Sequence, residues 1–231
     1  MHYRGSRLGF KNYDYVAWRN RSHEWANIDD ETNIDDETNA VIFVLENLLD
    51  AREIQQLVRE ATDRGWGPPH NKHGQLVEDT NIRNDLAATI DSNELAVVLW
   101  ERIELFFPPE FRFFGQRGSL NPRLRFSKYG PGGHFRCHYD GQYVDPSDPH
   151  NASRYTLLVY LTDVYNGGET RFINGMKSLT MDIPPRAGRA VIFDYNAMHC
   201  GLAVREGEKI VMKADVMVED ERAKMPPGSF D

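Results

Sequence analysis

An α+β fold, mainly β, is what this sequence predicts: a sandwich or jelly roll braced by N-terminal helices. Three observations lead there. After residue 110, eight short β-rich runs follow one another (122–128, 134–140, 154–162, 169–173, 178–183, 189–195, 198–204 and 209–218), separated by Gly, Pro, Asn and Asp clusters. Short strands at that spacing make sandwiches and jelly rolls. Before residue 110, two segments repeat apolar residues at the helical period. Helices first and strands after is an α+β order.

Residues 1–39 read as a polar, irregular N-terminal arm. It ends in a duplicated acidic stretch, Asn27-Ile28-Asp29-Asp30-Glu31-Thr32 followed by Asn33-Ile34-Asp35-Asp36-Glu37-Thr38. The repeat lacks the glycine turn and distal glutamate of a calcium loop, so it reads as a solvated linker. Phe10, Tyr13, Tyr15 and Trp18 precede it and offer a way to dock the arm. The domain proper is expected over 40–231, with helical support in 40–110 and a jelly-roll core in 111–220.

Val41-Ile42-Phe43-Val44 reads as a strand. Asp50-Ala51-Arg52-Glu53 has the form of a capping box opening a helix. Ile54, Leu57, Val58 and Ala61 share that helix's apolar face, and Gly65 with Pro68-Pro69 ends it. A polar loop or hairpin is expected through Asp79. A second amphipathic helix is expected from about Ser92 to Phe106, with Leu95, Val98, Leu99, Ile103 and Phe106 inward and Pro108 as its stop.

Bulk properties narrow the function. The 231 residues are 40% hydrophobic, enough for one domain with a sizeable core. The net charge of −8 argues against nucleic acid or an anionic membrane as the main partner. Two cysteines, Cys137 and Cys200, imply no disulfide framework and fit a reducing compartment. They are expected as buried free thiols. The opening Met1-His2-Tyr3-Arg4-Gly5 is polar, and no run of 18 apolar residues occurs, so a cytoplasmic location is expected.

The chemistry concentrates at His138-Tyr139-Asp140 and His199. Two imidazoles and one carboxylate are the donor set of a facial triad, which holds Fe(II) and leaves one face open. Side chains two apart on a strand point the same way, so His138 and Asp140 are expected to grip one ion from one strand, with His199 arriving from another. A His-x-Asp alone is common by chance, and most such pairs are ordinary polar contacts. Its surroundings decide.

Those surroundings resemble a known family. The run from Asn121 through Arg123, Arg125, Tyr129, Gly130-Pro-Gly-Gly, His138 and Asp140 to Gly141 looks like the iron-binding stretch of prolyl 4-hydroxylase-like Fe(II)/2-oxoglutarate oxygenases. Tyr155 to Asp163, Gly167-Gly168-Glu169-Thr170-Arg171-Phe172, Pro184 to Phe193, and His199 to Lys209 continue the pattern in order. The resemblance implies a double-stranded β-helix, the jelly-roll variant with the metal at its open end. It implies Fe(II) and 2-oxoglutarate as cofactors, with ascorbate as a reductant. One oxygen atom of O2 enters a substrate C–H bond, and the other leaves in succinate with release of CO2. The protein's part is placement and electrostatics.

In that family a basic residue follows the distal histidine by about ten positions and takes the far carboxylate of 2-oxoglutarate. Lys209 stands there, and Lys213 shares its strand face. Lys209 is preferred by spacing. Tyr129 and Tyr160 resemble positions that hydrogen-bond the cosubstrate, against the plainer reading that each is a core tyrosine with a satisfied hydroxyl. Strand parity places Arg136 on the face of His138, where an anionic substrate group would offset its burial. Arg123 and Arg125 are weaker candidates for that task. Arg171, Glu169 and Asp194 are candidates to orient the ligands. The segment Gly141–Ser153 reads as a loop over the open face, with Tyr143 a further substrate candidate and His150 a loop histidine.

The leading reading is therefore a hydroxylase acting on a prolyl residue, a free amino acid or a related small molecule, with a small molecule or peptide as partner and the oligomeric state open. Two others stand beside it: a cupin-type metal enzyme not using 2-oxoglutarate, which has no need of Lys209 or Lys213, and a non-catalytic binding module on the same fold.

Overall fold

The structure, a computed structural model, describes residues 15–21, 24–27, 41–70, 76–77, 79–107, 116–173 and 180–220. The acidic repeat falls outside these residues except for Asn27, as do Phe10 and Tyr13. Sixteen strands and two helices are described, in the order β1 Tyr15–Arg21, β2 Glu24–Asn27, β3 Val41–Leu45, α1 Ala51–Arg64, β4 Leu86–Asp91, α2 Asn93–Ile103, β5 Gln116–Leu120, β6 Arg123–Tyr129 and β7 Phe135–His138. The chain continues through β8 Val144–Asp145, β9 Asp148–Tyr160, β10 Asn166–Gly167, β11 Thr170–Ile173, β12 Thr180–Ile183, β13 Ala190–Asp194, β14 His199–Gly201, β15 Val204–Glu206 and β16 Lys209–Asp220.

Two antiparallel sheets face each other. The larger runs β2-β1-β3-β13-β9-β16-β6-β4, with β5 on β16 and β8 on β9. The smaller runs β12-β11-β14-β7, and β10 pairs β15. This is the mainly β, jelly-roll architecture that the sequence predicts.

The helices cover the outer face of the large sheet. The capping box of α1 is present as expected: Asp50 Oδ1 accepts from the amides of Arg52 (2.8 Å) and Glu53 (2.9 Å), and Glu53 Oε2 accepts from the Asp50 amide (2.9 Å). Gly65 ends α1 at φ 90, a conformation that suits glycine. Ser92 caps α2 by accepting from the Leu95 amide. The helix stops at Ile103, and Glu104–Phe106 tightens into a 3-10 turn, a common way to satisfy the last carbonyls.

Alternation along the central strands sorts two cores. Leu157 and Val159 of β9, with Met212 and Ala214 of β16, meet Leu57, Leu95, Leu99 and Ile103 beneath the helices. Tyr160 of β9 and Val211 of β16 point between the sheets, among Ile42, Phe172, Val191 and Phe193. Lys209, Lys213 and Asp215 share the parity of Val211, so β16 presents two cations and an anion to the same interior.

The sequence reading differs from the structure at several places. The described part of the arm is strand, since β1 pairs with both β2 and β3. The segment expected as a loop over 141–153 is partly a hairpin: β8 pairs β9, which begins at Asp148. His150 accordingly sits on a strand and is exposed. β4 and β5 went unpredicted. Leu86–Asp91 carries apolar residues at no clear period, and Gln116–Leu120 has a single large apolar residue.

Leu99 is fully buried between α2 and the sheet. Leu99→Ala is expected to cost about 2–5 kcal/mol by removing its methyl groups and leaving a cavity, measurable as a lowered midpoint in denaturant unfolding.

A candidate metal site between the sheets

The site is built by one register. β14 pairs β7 with His199 opposite His138, which sets their rings 4.3 Å apart between centroids. Two residues on, Gly201 pairs with Phe135 rather than with Arg136. β7 thus carries one extra residue, a bulge that breaks the period of two. Phe135 consequently stacks on the His138 ring at 3.7 Å and 19°. Arg136 is exposed, so the parity argument that aimed it into the cavity fails at this bulge.

β7 also ends earlier than expected. His138 is its last residue, and Asp140 lies in the irregular segment that follows, tied by its amide to the Tyr195 carbonyl (3.2 Å). Asp140 still converges with the histidines: His138, Asp140 and His199 each offer one ligand atom, and all these atoms lie within 4.8 Å of one another. Only the route differs from the one expected, an irregular segment past the strand end instead of strand parity.

The second nitrogen of each ring says which atom is open. His138 Nδ1 faces the Arg136 carbonyl at 2.7 Å, and His199 Nδ1 faces the Ala197 carbonyl at 3.0 Å. A carbonyl only accepts, so each Nδ1 carries a proton, and in the neutral ring this leaves the lone pair on Nε2. Backbone carbonyls on the far nitrogen are the usual outer support of metal-bound histidine. Asp194 braces the turn before His199: its Oδ1 accepts from the Asn196 amide and its carbonyl from the Ala197 amide.

Electrostatics hold the donors in their ligating forms. Burial pushes the His199 imidazole down to about 4, so it is neutral at pH 7. Burial alone would raise the Asp140 carboxyl, but the Lys213 ammonium, with His199 and His138, outweighs it and holds the group well below its usual range. Asp140 Oδ2 accepts from Thr156 Oγ1 (2.6 Å), and Oδ1 accepts from Lys213 Nζ. Oδ1 is the oxygen 3.6 Å from His138 Nε2. These residues fit a divalent cation: two open imidazole nitrogens, one ionised carboxylate, and a fixed outer shell.

Deeper between the sheets lies Lys209, 4% exposed. Its Nζ stands 5.6 Å from the ring centres of both Tyr129 and Tyr160. Its stem passes Gly168, where φ is +76 and a Cβ would lie 3.5 Å from Lys209 Cδ. Among the described residues no carboxylate is within ion-pair distance, although Glu169 lends some field. Burial lowers the ammonium to about 8. A buried cation between two tyrosines fits an incoming carboxylate. Burial also raises both tyrosines, keeping their hydroxyls protonated, and Tyr160 donates to Thr170 Oγ1 at 2.7 Å.

The remaining candidates separate cleanly. Arg125 pairs with both oxygens of Asp215 at 2.7 Å, and Lys213 is its direct cross-strand neighbour. Arg171 spends its charge on Asp182 across β11 and β12, away from the ligands. Arg123 lies at the edge beside Asp91. Tyr143 is half-buried, and its backbone exchanges hydrogen bonds with Ser153. Cys200 is buried as expected, whereas Cys137 is exposed.

Sequence reasoning missed Arg83 and Asp85. Arg83 bridges to Phe135, lies 4.4 Å over its ring, and pairs with buried Asp85. The result is a stack of guanidinium, phenyl and imidazole that wedges His138 in place. The only signal in the sequence was an Arg-x-Asp spacing on an extended segment, which is too common to single out. Arg83 and Asp85 also line a cavity of about 620 Å³ with Trp66, Pro69, Leu76 and Val77.

Comparisons with known proteins now bear on this geometry. Residues 124–214 match the model of the 2OG-Fe(II) oxygenase superfamily, a span that contains all three candidate ligands. The fold is similar to that of a viral collagen prolyl hydroxylase from Paramecium Bursaria Chlorella virus-1, solved with 2-oxoglutarate: TM-score 0.53, 22% identity, covering 76% of this chain and 95% of that one. A prolyl-4-hydroxylase of Pseudomonas putida gives TM-score 0.54 at 20% identity, covering 75% and 91%. A Trichoplax adhaerens prolyl hydroxylase, bound to a fragment of a hypoxia inducible factor degradation domain, gives 0.54 at 16%, covering 78% and 84%. No curated protein matches the chain. Residues 124–214 are thus similar to the 2OG-Fe(II) oxygenase superfamily, and the solved prolyl hydroxylases share the fold. Among the described residues, no helix is long and apolar enough to cross a membrane.

His199 gives a prediction for the metal-free protein. The folded pKa of about 4 lies below the ordinary value of 6.5. Its contribution to stability is fully present above pH 6.5 and is lost as pH falls towards 4, by about 3 kcal/mol. Unfolding midpoints measured over that window are expected to drop in the native chain and to flatten in His199→Gln; an unchanged slope in the variant contradicts the assignment.

Proposed function

We propose that this protein hydroxylates an unactivated C–H bond in a prolyl residue, a free amino acid or a related small molecule. His138 Nε2, Asp140 Oδ1 and His199 Nε2 hold Fe(II), and Lys209 with Tyr129 and Tyr160 holds 2-oxoglutarate. The observation that carries this reading is the pairing of an open two-His, one-carboxylate cluster with a buried lysine on the same interior face.

Each residue's task follows from its surroundings. The carbonyls of Arg136 and Ala197 fix the two ring tautomers, so neither histidine must shed a proton to bind. Thr156 donates to Asp140 Oδ2 and so commits Oδ1 to the metal side. Phe135, pressed on by Arg83, prevents rotation of the His138 ring and keeps water from its rear face. Lys209 gains a counter-ion when the far carboxylate of 2-oxoglutarate arrives, and the low dielectric there makes that contact strong. When bound, Fe(II) and 2-oxoglutarate supply the oxidation: O2 is divided between substrate alcohol and succinate, and CO2 leaves.

Three outcomes test the reading. The anaerobic protein with Fe(II) and 2-oxoglutarate is expected to show a weak visible charge-transfer band, absent in His138→Ala and His199→Ala along with succinate formation. Lys209→Ala is expected to raise the 2-oxoglutarate requirement more than Lys213→Ala; the reverse order moves the role to Lys213. With the free Lys209 ammonium near 8, the deprotonated form loses its hold on an anion as pH rises. The 2-oxoglutarate dissociation constant is then expected to grow about tenfold per unit above pH 8, and Lys209→Arg to remove that dependence.

A further inference from the structure

We propose that Lys213, supported by Arg125, is a second anion subsite that selects a substrate bearing a free carboxylate. The proposal rests on the Fe(II) and 2-oxoglutarate reading above and goes on to narrow the substrate class.

Lys213 and Lys209 share one face of β16 but are four residues apart, about 13 Å along the strand. They do not serve the same end of one ligand. Lys209 sits deep, between tyrosines. The Lys213 side chain is 26% exposed and stands at the triad itself, with Nζ on Asp140 Oδ1. That oxygen is the one on the side of His138 Nε2. The ammonium therefore stands beside the position from which His138 Nε2 and Asp140 Oδ1 would hold a metal ion.

Metal binding changes the balance. Asp140 Oδ1 is then committed to the ion, and Oδ2 is already held by Thr156. A metal ion on Asp140 Oδ1 competes with the Lys213 ammonium for the same oxygen and weakens that pair. The neighbour of Lys213 across the sheet is another cation, Arg125. Like charges placed directly opposite repel. Asp215 is the nearby anion, but both its oxygens already accept from Arg125 Nη2. Arg125 Nε, moreover, is buried and has no hydrogen-bond partner among the described residues. An excess ammonium beside an unused guanidinium donor is an incomplete anion site. The far carboxylate of 2-oxoglutarate is assigned to Lys209, so the missing anion comes with the substrate. A single carboxylate matches the one uncompensated charge and reaches the open edge of the triad.

A free amino acid or other small acid satisfies this subsite. A prolyl residue inside a peptide does not, because its carboxyl is an amide. The probes are the twenty free L-amino acids and their C-terminal amides, each titrated anaerobically into Fe(II)- and 2-oxoglutarate-loaded protein, with the charge-transfer band as readout. At least one acid is expected to shift the band and to bind about 100-fold tighter than its amide, the scale of a charge-assisted hydrogen bond. Lys213→Met, brought to the same band intensity with Fe(II) and 2-oxoglutarate, is expected to bind that acid and its amide alike, and Lys213→Arg to restore the preference. An amide that binds as well as its acid overturns the proposal. So does a band that no acid perturbs, with or without a response to a proline-containing peptide, and so does Lys213→Met weakening 2-oxoglutarate instead of the acid. Absence of the band before any probe is added is a different failure, that of the oxygenase reading itself.

Discussion

Everything at this site follows from one cross-strand pairing, His199 opposite His138 between β14 and β7. Antiparallel neighbours are the closest approach that two strands offer, and here both positions carry imidazole. The bulge beside the pair turns Phe135 onto one ring, while the large sheet supplies Thr156 and Lys213 to Asp140 from the opposite wall. The two sheets therefore meet at three side chains. A shift of one residue in β14 would move His199 to the outer face and dissolve the cluster.

The charges around that pairing are arranged in pairs. Asp140 takes Lys213, Asp215 takes Arg125, and Asp85 takes Arg83. Buried ions at this density are costly unless matched. Lys209 is the exception among the described interior cations, and its lowered ammonium reflects the missing partner.

Much of this was legible in the sequence, and for physical reasons. Strand and helix periods follow from burial on one face, so β6, β11, β13 and β16 fall close to their predicted bounds, and so do α1 with its Asp50–Glu53 box and most of α2. The ligands were legible because few side chains bind metal and their order along the chain was distinctive. Arg136 was misplaced because a bulge leaves no mark in composition; the strand still looks regular in one dimension. Asp140 does converge with the two histidines, but from beyond the end of β7 rather than by strand alternation. β4 and β5 were missed because edge positions do not need a continuous apolar face. Arg83 was invisible because its importance lies in what it stacks against, a contact more than fifty positions away in the chain.

The most direct measurement is a crystal structure grown without oxygen in the presence of Mn(II), a redox-inert stand-in for Fe(II), and 2-oxoglutarate. The account predicts one ion bonded to His138 Nε2, Asp140 and His199 Nε2, with the Lys213 ammonium withdrawn from Asp140 Oδ1 and a 2-oxoglutarate carboxylate against Lys209. An ion bound elsewhere, or an unbroken Lys213–Asp140 pair with no metal at the two imidazoles, would contradict it.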